Sequence, residues 1–264
     1  MPEAPVSGHH PVSTLAVLPA RLSATRLPNK PLRLLGGLPL IVRVWQRVRE
    51  LAIADRVVVA TDHEGIAAAC RAAGAEVVMT RADHPSGTDR VAEVAAQREY
   101  AGFDVIVNVQ GDEPFVSREA VAGAALMVAS GRFPLGTAAS VATAGILDRA
   151  DVVKVIVGDD HRALYFSRAP IPFLRDRGDA PLLEGQVRQH VGVYAYAPEA
   201  LAAWVALSPH ALERIEKLEQ LRPLAAGWAM GVADVPEAPI GGVDTEEDLV
   251  RANARWTPPT EERP

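Results

Sequence analysis

The chain has 264 residues, 48% of them hydrophobic, and a formal net charge of −6. Its length suits one large domain, or one domain with a small lobe, and its composition excludes a disordered chain. The acidic balance excludes a general nucleic-acid or membrane-surface binder, and the single cysteine, Cys70, excludes an intrachain disulfide and a cysteine-rich zinc site.

Residues 1–13, MPEAPVSGHHPVS, show no periodicity and read as a flexible tail; the adjacent His9 and His10 make a poor metal site. TLAVL reads as a buried strand and is followed by the loop LPARLSATRLPNKPL. A helical pattern covers 40–51, a strand 56–61, a helix 65–73 and a strand 75–80. SGTDRVAEVAAQREY opens another helix, and VIVNVQ at 105–110 is apolar enough for the middle of a sheet. This alternation predicts an α/β fold with a parallel sheet covered by helices on both faces. After Gly136 the pattern changes: TAASVAT, VVKVIVG, ALYFSR and VGVYAY read as strands with little helix between them, so antiparallel pairing is expected. Helices follow at 198–207 and 212–226, then a short strand VADV and a closing helix in TEEDLVRANAR. Residues 255–264 read as a second loose tail. No apolar run is long enough to cross a bilayer and no signal peptide precedes the first strand, so a cytoplasmic protein is expected.

The first loop places Arg21, Arg26 and Lys30 together with no acidic residue among them. Pro28 and Pro31 oppose a helix there. A loop leaving the carboxyl end of a strand faces the crevice where open α/β sheets bind ligands. Three cations with the hydroxyls of Ser23 and Thr25 match a polyphosphate, each charge-assisted hydrogen bond contributing about 1.5–3 kcal/mol. Neither G-x-x-x-x-G-K-[ST] nor G-x-G-x-x-G is present, so side-chain cations rather than a glycine cradle would hold the nucleotide. In VIVNVQGDEP, Asp112 hangs over the same crevice. It is either the cap of the next helix or, beside the cationic loop, a ligand of a divalent cation. Asp244 in GVDTEEDL, taken alone, reads as part of a helix cap with Thr245 and Asp248. Glu216 and Gln220, four apart, fall on one face of the helix expected over 212–226. His63, His84, His161 and His210 form no ligand spacing and read as structural or exposed, and no Ser-His-Asp arrangement is present.

The ordered segments PARLSATRLPNKPL, ATDHEGI, DHPSGTDR, NVQGDEP, ALYFSRAPIP, RQHVGVYAY, LERIEKLEQLR and GVDTEEDL together resemble the 3-deoxy-manno-octulosonate (Kdo) cytidylyltransferases, or CMP-Kdo synthetases, from about residue 15 to 254. The resemblance implies a Rossmann-like nucleotidyltransferase fold over 14–254. Its sheet would be mostly parallel with helices on both faces. A smaller mixed antiparallel lobe for sugar binding and dimerisation would lie within about 137–200. It also implies a reaction: CTP and Kdo give CMP-Kdo and pyrophosphate with Mg²⁺, for lipopolysaccharide-type glycan synthesis, in a homodimer. Arg21, Arg26 and Lys30 would hold the triphosphate, and Asp112 and Asp244 would ligate Mg²⁺, these five forming the catalytic set. Ser86, Gly87 and Gln110 would join the nucleotide site. Arg90, Gln110, Arg168, His190, Tyr194, Glu216 and Gln220 would line the acid-sugar pocket. The chain departs from the family pattern at Leu22, Ala24, Asn29, Leu38 and Asp89, none of them an assigned cation or metal ligand. Those departures leave room for another acid sugar, such as 8-amino-Kdo or a sialic acid. A non-catalytic nucleotide-binding relative is a further alternative, which the presence of both Asp112 and Asp244 opposes.

Overall fold

The computed structural model describes residues 12–22 and 26–256. Most of both expected tails, His9 and His10, and the hydroxyls of Ser23 and Thr25 lie outside the described residues.

Strand β1 (Thr14–Ala20) is buried at all seven positions, as expected for a strand covered on both faces. A one-turn 3₁₀ helix (Lys30–Leu32) ends the cationic loop, and a small hairpin of β2 (Leu34–Leu35) and β3 (Leu38–Pro39) leads into α1 (Leu40–Glu50). There follow β4 (Arg56–Thr61), α2 (Glu64–Ala72), β5 (Glu76–Met79), α3 (Gly87–Ala95) and β6 (Val105–Val109). Next come α4 (Arg118–Ala129), β7 (Leu135–Val141), β8 (Lys154–Val157), β9 (Ala163–Ser167) and β10 (Arg188–Tyr196). The chain closes with α5 (Pro198–Ala206), α6 (Ala211–Glu216), α7 (Leu221–Ala225), β11 (Met230–Val235) and α8 (Glu246–Arg255).

The main sheet runs β11-β7-β10-β6-β1-β4-β5. β1 pairs in parallel with β4 and β6, β4 with β5, and β11 with β7, so the sheet is mostly parallel. β10 is the inverted strand, antiparallel to β6, β7 and β8, and β9 pairs antiparallel with β8 beyond it. Segment 137–200 thus supplies two strands of the central sheet as well as the antiparallel flap. One apolar core lies on the sheet face under α1, α2, α4 and α8; the other packs α3, α5 and the α6–α7 segment on the opposite face.

Three expectations need correction. Helix α4 is absent from the sequence reading, because VSREAVAGAALMVAS carries small apolar residues around most of its circumference and shows little contrast between faces. The helix expected over 212–226 is broken after Glu216: Lys217 is left-handed (φ 55°), and Pro223, lacking an N–H, cannot continue an α-helical ladder through that segment. Glu216 and Gln220 therefore do not share a helical face. Both expected tails also lose their inner residues to the fold. Ser13 is tied through its N–H and hydroxyl to the Asp104 carboxylate, both at 2.7 Å, because the backbone entering β1 needs partners. Arg255 ends α8, and the Trp256 indole lies against Phe115 with Arg43 stacked over it, which covers part of its apolar surface.

Candidate active site

Parallel strands β1 and β6 end side by side, and the loops leaving them form one wall of a cavity of about 400 Å³. Gly111 allows that approach, since a Cβ there would lie 2.8 Å from the Pro19 carbonyl oxygen. The last loop of the chain docks beside it: the Val243 N–H donates to the Asp112 carbonyl at 2.9 Å. Gly242 permits that contact, its absent Cβ falling 3.0 Å from Glu113 Oε1 and 3.3 Å from the Asp112 carbonyl. Two carboxylates far apart in sequence are thereby held at one point.

Lys30 lies between them. Its ammonium donates to Asp112 Oδ2 and, at 2.8 Å, to Asp244 Oδ1, while Arg26 Nη2 reaches Asp244 Oδ2 at 3.0 Å. Burial works against the Lys30 charge, but the attraction of Asp112 and Asp244 outweighs it and the pKa is raised. Burial, with repulsion from Asp112 and Asp244, pushes the adjoining Glu113 carboxyl up to about 8. Neither aspartate caps a helix. Ser117 caps α4, accepting from the Ala120 N–H at 3.1 Å. Thr245 and Asp248 form a capping box on α8, leaving the Asp244 side chain turned to the cations.

The opposite wall is the N-terminus of α3. Ser86 caps it, accepting from the Asp89 N–H and donating to Asp89 Oδ2 at 2.7 Å; Ser86 and Gly87 both line the cavity. Arg90 is buried behind them, bonded to the Thr80 hydroxyl and 3.4 Å from Asp62 Oδ1, and also contributes to the lining. Gln110 is positioned by a chain of contacts, donating to Asn108 Oδ1 at 3.3 Å while Asn108 donates to the Tyr196 hydroxyl at 3.3 Å. Arg21, Arg26, Lys30, Ser86, Gly87, Arg90, Gln110, Asp112 and Asp244 thus border one cavity.

Two further lining residues were missed by the sequence reading. Glu219 accepts from the Thr88 hydroxyl at 2.9 Å, and burial holds its pKa above the usual carboxylate range. The break after α6 turns Glu219 inward, a rotation that an unbroken helix would not predict. His84, expected to be structural or exposed, also lines the cavity, with its Nε2 paired to Glu93. The only sequence signal was its position two residues before the Ser86 cap. His63 and His210 are structural, accepting from the Gly65 and Leu212 N–H groups at the starts of α2 and α6.

The other five candidates do not border this cavity. Arg168 and Glu216 form a knot: the Glu216 carboxylate accepts from the Ser167 hydroxyl at 2.6 Å and the Arg168 N–H at 2.9 Å, while Arg168 Nε donates to the Glu216 carbonyl at 2.9 Å. His190 sits between Phe166 and Tyr194, with Nε2 2.9 Å from the Thr137 hydroxyl. That hydroxyl gives its one proton to the Val193 carbonyl at 2.7 Å, so His190 carries its proton on Nε2 and donates. Burial pushes the His190 imidazole down to about 3. Tyr194 packs edge-on to Trp204, and burial raises its pKa. Gln220 is buried, and its Nε2 has no hydrogen-bond partner among the described residues.

A family model for the cytidylyltransferases matches residues 15–231. A 3-deoxy-manno-octulosonate cytidylyltransferase of Gemmatimonas aurantiaca is 66% identical over 242 residues, 92% of this chain and 93% of the relative. One of Herminiimonas arsenicoxydans is 48% identical over 256 residues, 93% of this chain and all of the relative. The fold also matches the solved structure of a CMP:2-keto-3-deoxy-manno-octonic acid synthetase complexed with CTP, with a TM-score of 0.84 and 36% identity over 92% of this chain and 97% of that one. Sequence relatives and solved fold agree over nearly the full length of the described residues, and the chain belongs to the 3-deoxy-manno-octulosonate cytidylyltransferase family.

Proposed function

We propose that this protein transfers CMP from CTP to the anomeric hydroxyl of Kdo, giving CMP-Kdo and pyrophosphate for lipopolysaccharide-type glycan synthesis. The observation that carries the reading is one cavity in which three cations of the first loop meet two carboxylates, in a chain 66% identical to a relative of that name. Arg21, Arg26 and Lys30 grip the outer phosphates and stabilise the charge that develops on the departing pyrophosphate. Ser86, Gly87 and Gln110 hold the nucleoside. Arg90, anchored from behind by Thr80 and Asp62, presents a guanidinium suited to the sugar's carboxylate. Arg168, His190, Tyr194, Glu216 and Gln220 remain assigned to the sugar side by family pattern alone. The anomeric oxygen bonds to the α-phosphorus as the bond to the bridging oxygen breaks, and the electron pair leaves with pyrophosphate. The hydroxyl proton passes to solvent.

Asp112 and Asp244 fit a Mg²⁺ site. Two carboxylates close enough to share one ammonium form a hard oxygen donor set, and Mg²⁺ binds through one or two carboxylates plus substrate phosphates. Substrate phosphates and water would fill the remaining positions on such an ion. When bound, the ion would polarise the phosphate oxygens and acidify the attacking hydroxyl. We propose a cytoplasmic location, the compartment that supplies CTP. We expect a homodimer, supported by the exposed apolar side chains Leu164, Phe173 and Leu182 in segment 137–200.

The test is pyrophosphate release from CTP with Mg²⁺, run in parallel with Kdo, 8-amino-Kdo and a sialic acid. Release with Kdo is expected. Release only with another acid sugar overturns the sugar assignment, and silence from folded protein that binds CTP overturns the transferase reading.

A further inference from the structure

We infer that Lys30 is shared between two partners in turn, the Asp112–Asp244 carboxylate pair and the incoming triphosphate, so that nucleotide binding is what opens the pair to a divalent cation. The inference rests on the proposed CTP and metal site and concerns the order in which that site is loaded. Lys30 Nζ donates to Asp112 Oδ2 and Asp244 Oδ1, and Arg26 occupies Asp244 Oδ2. Three of the four carboxylate oxygens therefore already face a protein cation. A divalent ion seeking the same oxygens meets like charge at contact distance and must displace the ammonium.

Geometry makes that displacement a side-chain event. The Lys30 backbone is fixed in a 3₁₀ turn between left-handed Asn29 and Pro31, so the loop need not refold. The ammonium is a rotatable point charge with three donors, of which the two aspartates take two. The third is available to a phosphate oxygen in the same cavity. Triphosphate carries more negative charge than the carboxylate pair and offers many acceptors, so it draws Lys30 away and leaves Asp112 and Asp244 to the metal. At each stage the carboxylates have a cation beside them, which avoids leaving partly buried charge unpaired.

The experiment measures nucleotide-free Mn²⁺ uptake by water-proton relaxation enhancement, for wild type and Lys30→Met, each shown to be folded by circular dichroism. Lys30→Met is expected to bind Mn²⁺ at least ~10-fold more tightly than wild type, a coupling of ordinary size. Equal affinities overturn the shared-lysine inference while leaving the metal site intact. Absence of protein-bound Mn²⁺ in both, even with CTP, overturns the metal reading itself. A second measurement does not depend on that variant folding alone: CTP binding in EDTA to Asp112→Asn and to the Lys30→Met/Asp112→Asn double variant. Asp112→Asn should bind metal-free CTP several-fold more tightly than wild type because Lys30 is released, and the gain should vanish in the double variant. A gain that persists without Lys30, or no gain at all, overturns the inference.

Discussion

Two lysines divide the molecule. Lys30 sits in the cavity with its ammonium between two aspartates from separate loops. Lys154 on β8 is fully buried, and its ammonium is bound by three backbone carbonyls: Arg149 at 2.9 Å, Val152 at 2.8 Å and Arg168 at 2.5 Å. The charges around Lys30 raise its pKa against burial, whereas burial lowers that of Lys154. Charge held by side chains at a cavity wall can be exchanged for substrate charge. Charge held by backbone carbonyls in a core cannot, and it serves to tie segment 149–152 to the end of β9. Residue type alone does not separate substrate-binding cations from scaffold cations; the nature and accessibility of the partner does.

The sharpest way to break this contrast is to neutralise one partner on each side. Asp112→Asn should lower kcat on the order of 10³-fold, the scale of losing one preorganised electrostatic contact, with an unchanged far-UV spectrum. Near-normal turnover would remove Asp112 from the chemistry. Lys154→Met should do the reverse. It strips the donors from three carbonyls and costs about 3 kcal/mol, read from the urea midpoint at constant m, while KM for CTP stays at the wild-type value in the folded fraction. Wild-type stability in that variant would show that the carbonyls find other partners. The smallest effect concerns His190, whose folded pKa of about 3 lies below the ordinary 6.5. Between those values the unfolded chain binds the extra proton, so this residue's contribution to stability is full above pH 6.5 and is lost as pH falls toward 3. His190→Phe should flatten the stability–pH slope in that window by up to one proton, measured by urea unfolding at pH 4.5, 5.5 and 7. An unaltered slope would mean that the ring is already free to protonate in the fold.

The sequence was legible where period and position act together. The apolar run TLAVL and the cationic loop behind it, VIVNV and its terminal QGDE, and the β-α alternation between them were enough to bring the ends of β1 and β6 to one crevice. The resemblance, rather than local pattern, tied Asp244 to that crevice. Locally its surroundings do form a helix cap, but the capping side chains are Thr245 and Asp248. What stayed hidden depends on packing. Helix α4 lies against the sheet through small residues, with a Cβ on Gly136 falling 2.2 Å from the Ala124 carbonyl oxygen, so no polar stripe announces it. Glu219 stayed hidden because a single left-handed residue, Lys217, resets the helical phase that would otherwise have paired Glu216 with Gln220. His84 stayed hidden because its partner Glu93 lies two turns further along α3, a contact with no motif attached.

The most direct test of the central claim is a crystal structure with CTP and Mg²⁺ bound. The account predicts the triphosphate within hydrogen-bond distance of Arg21, Arg26 and Lys30, the base beside Ser86 and Gly87, and one metal ion on Asp112 and Asp244. A nucleotide bound elsewhere, or a triphosphate that leaves Lys30 on the two aspartates, would contradict it.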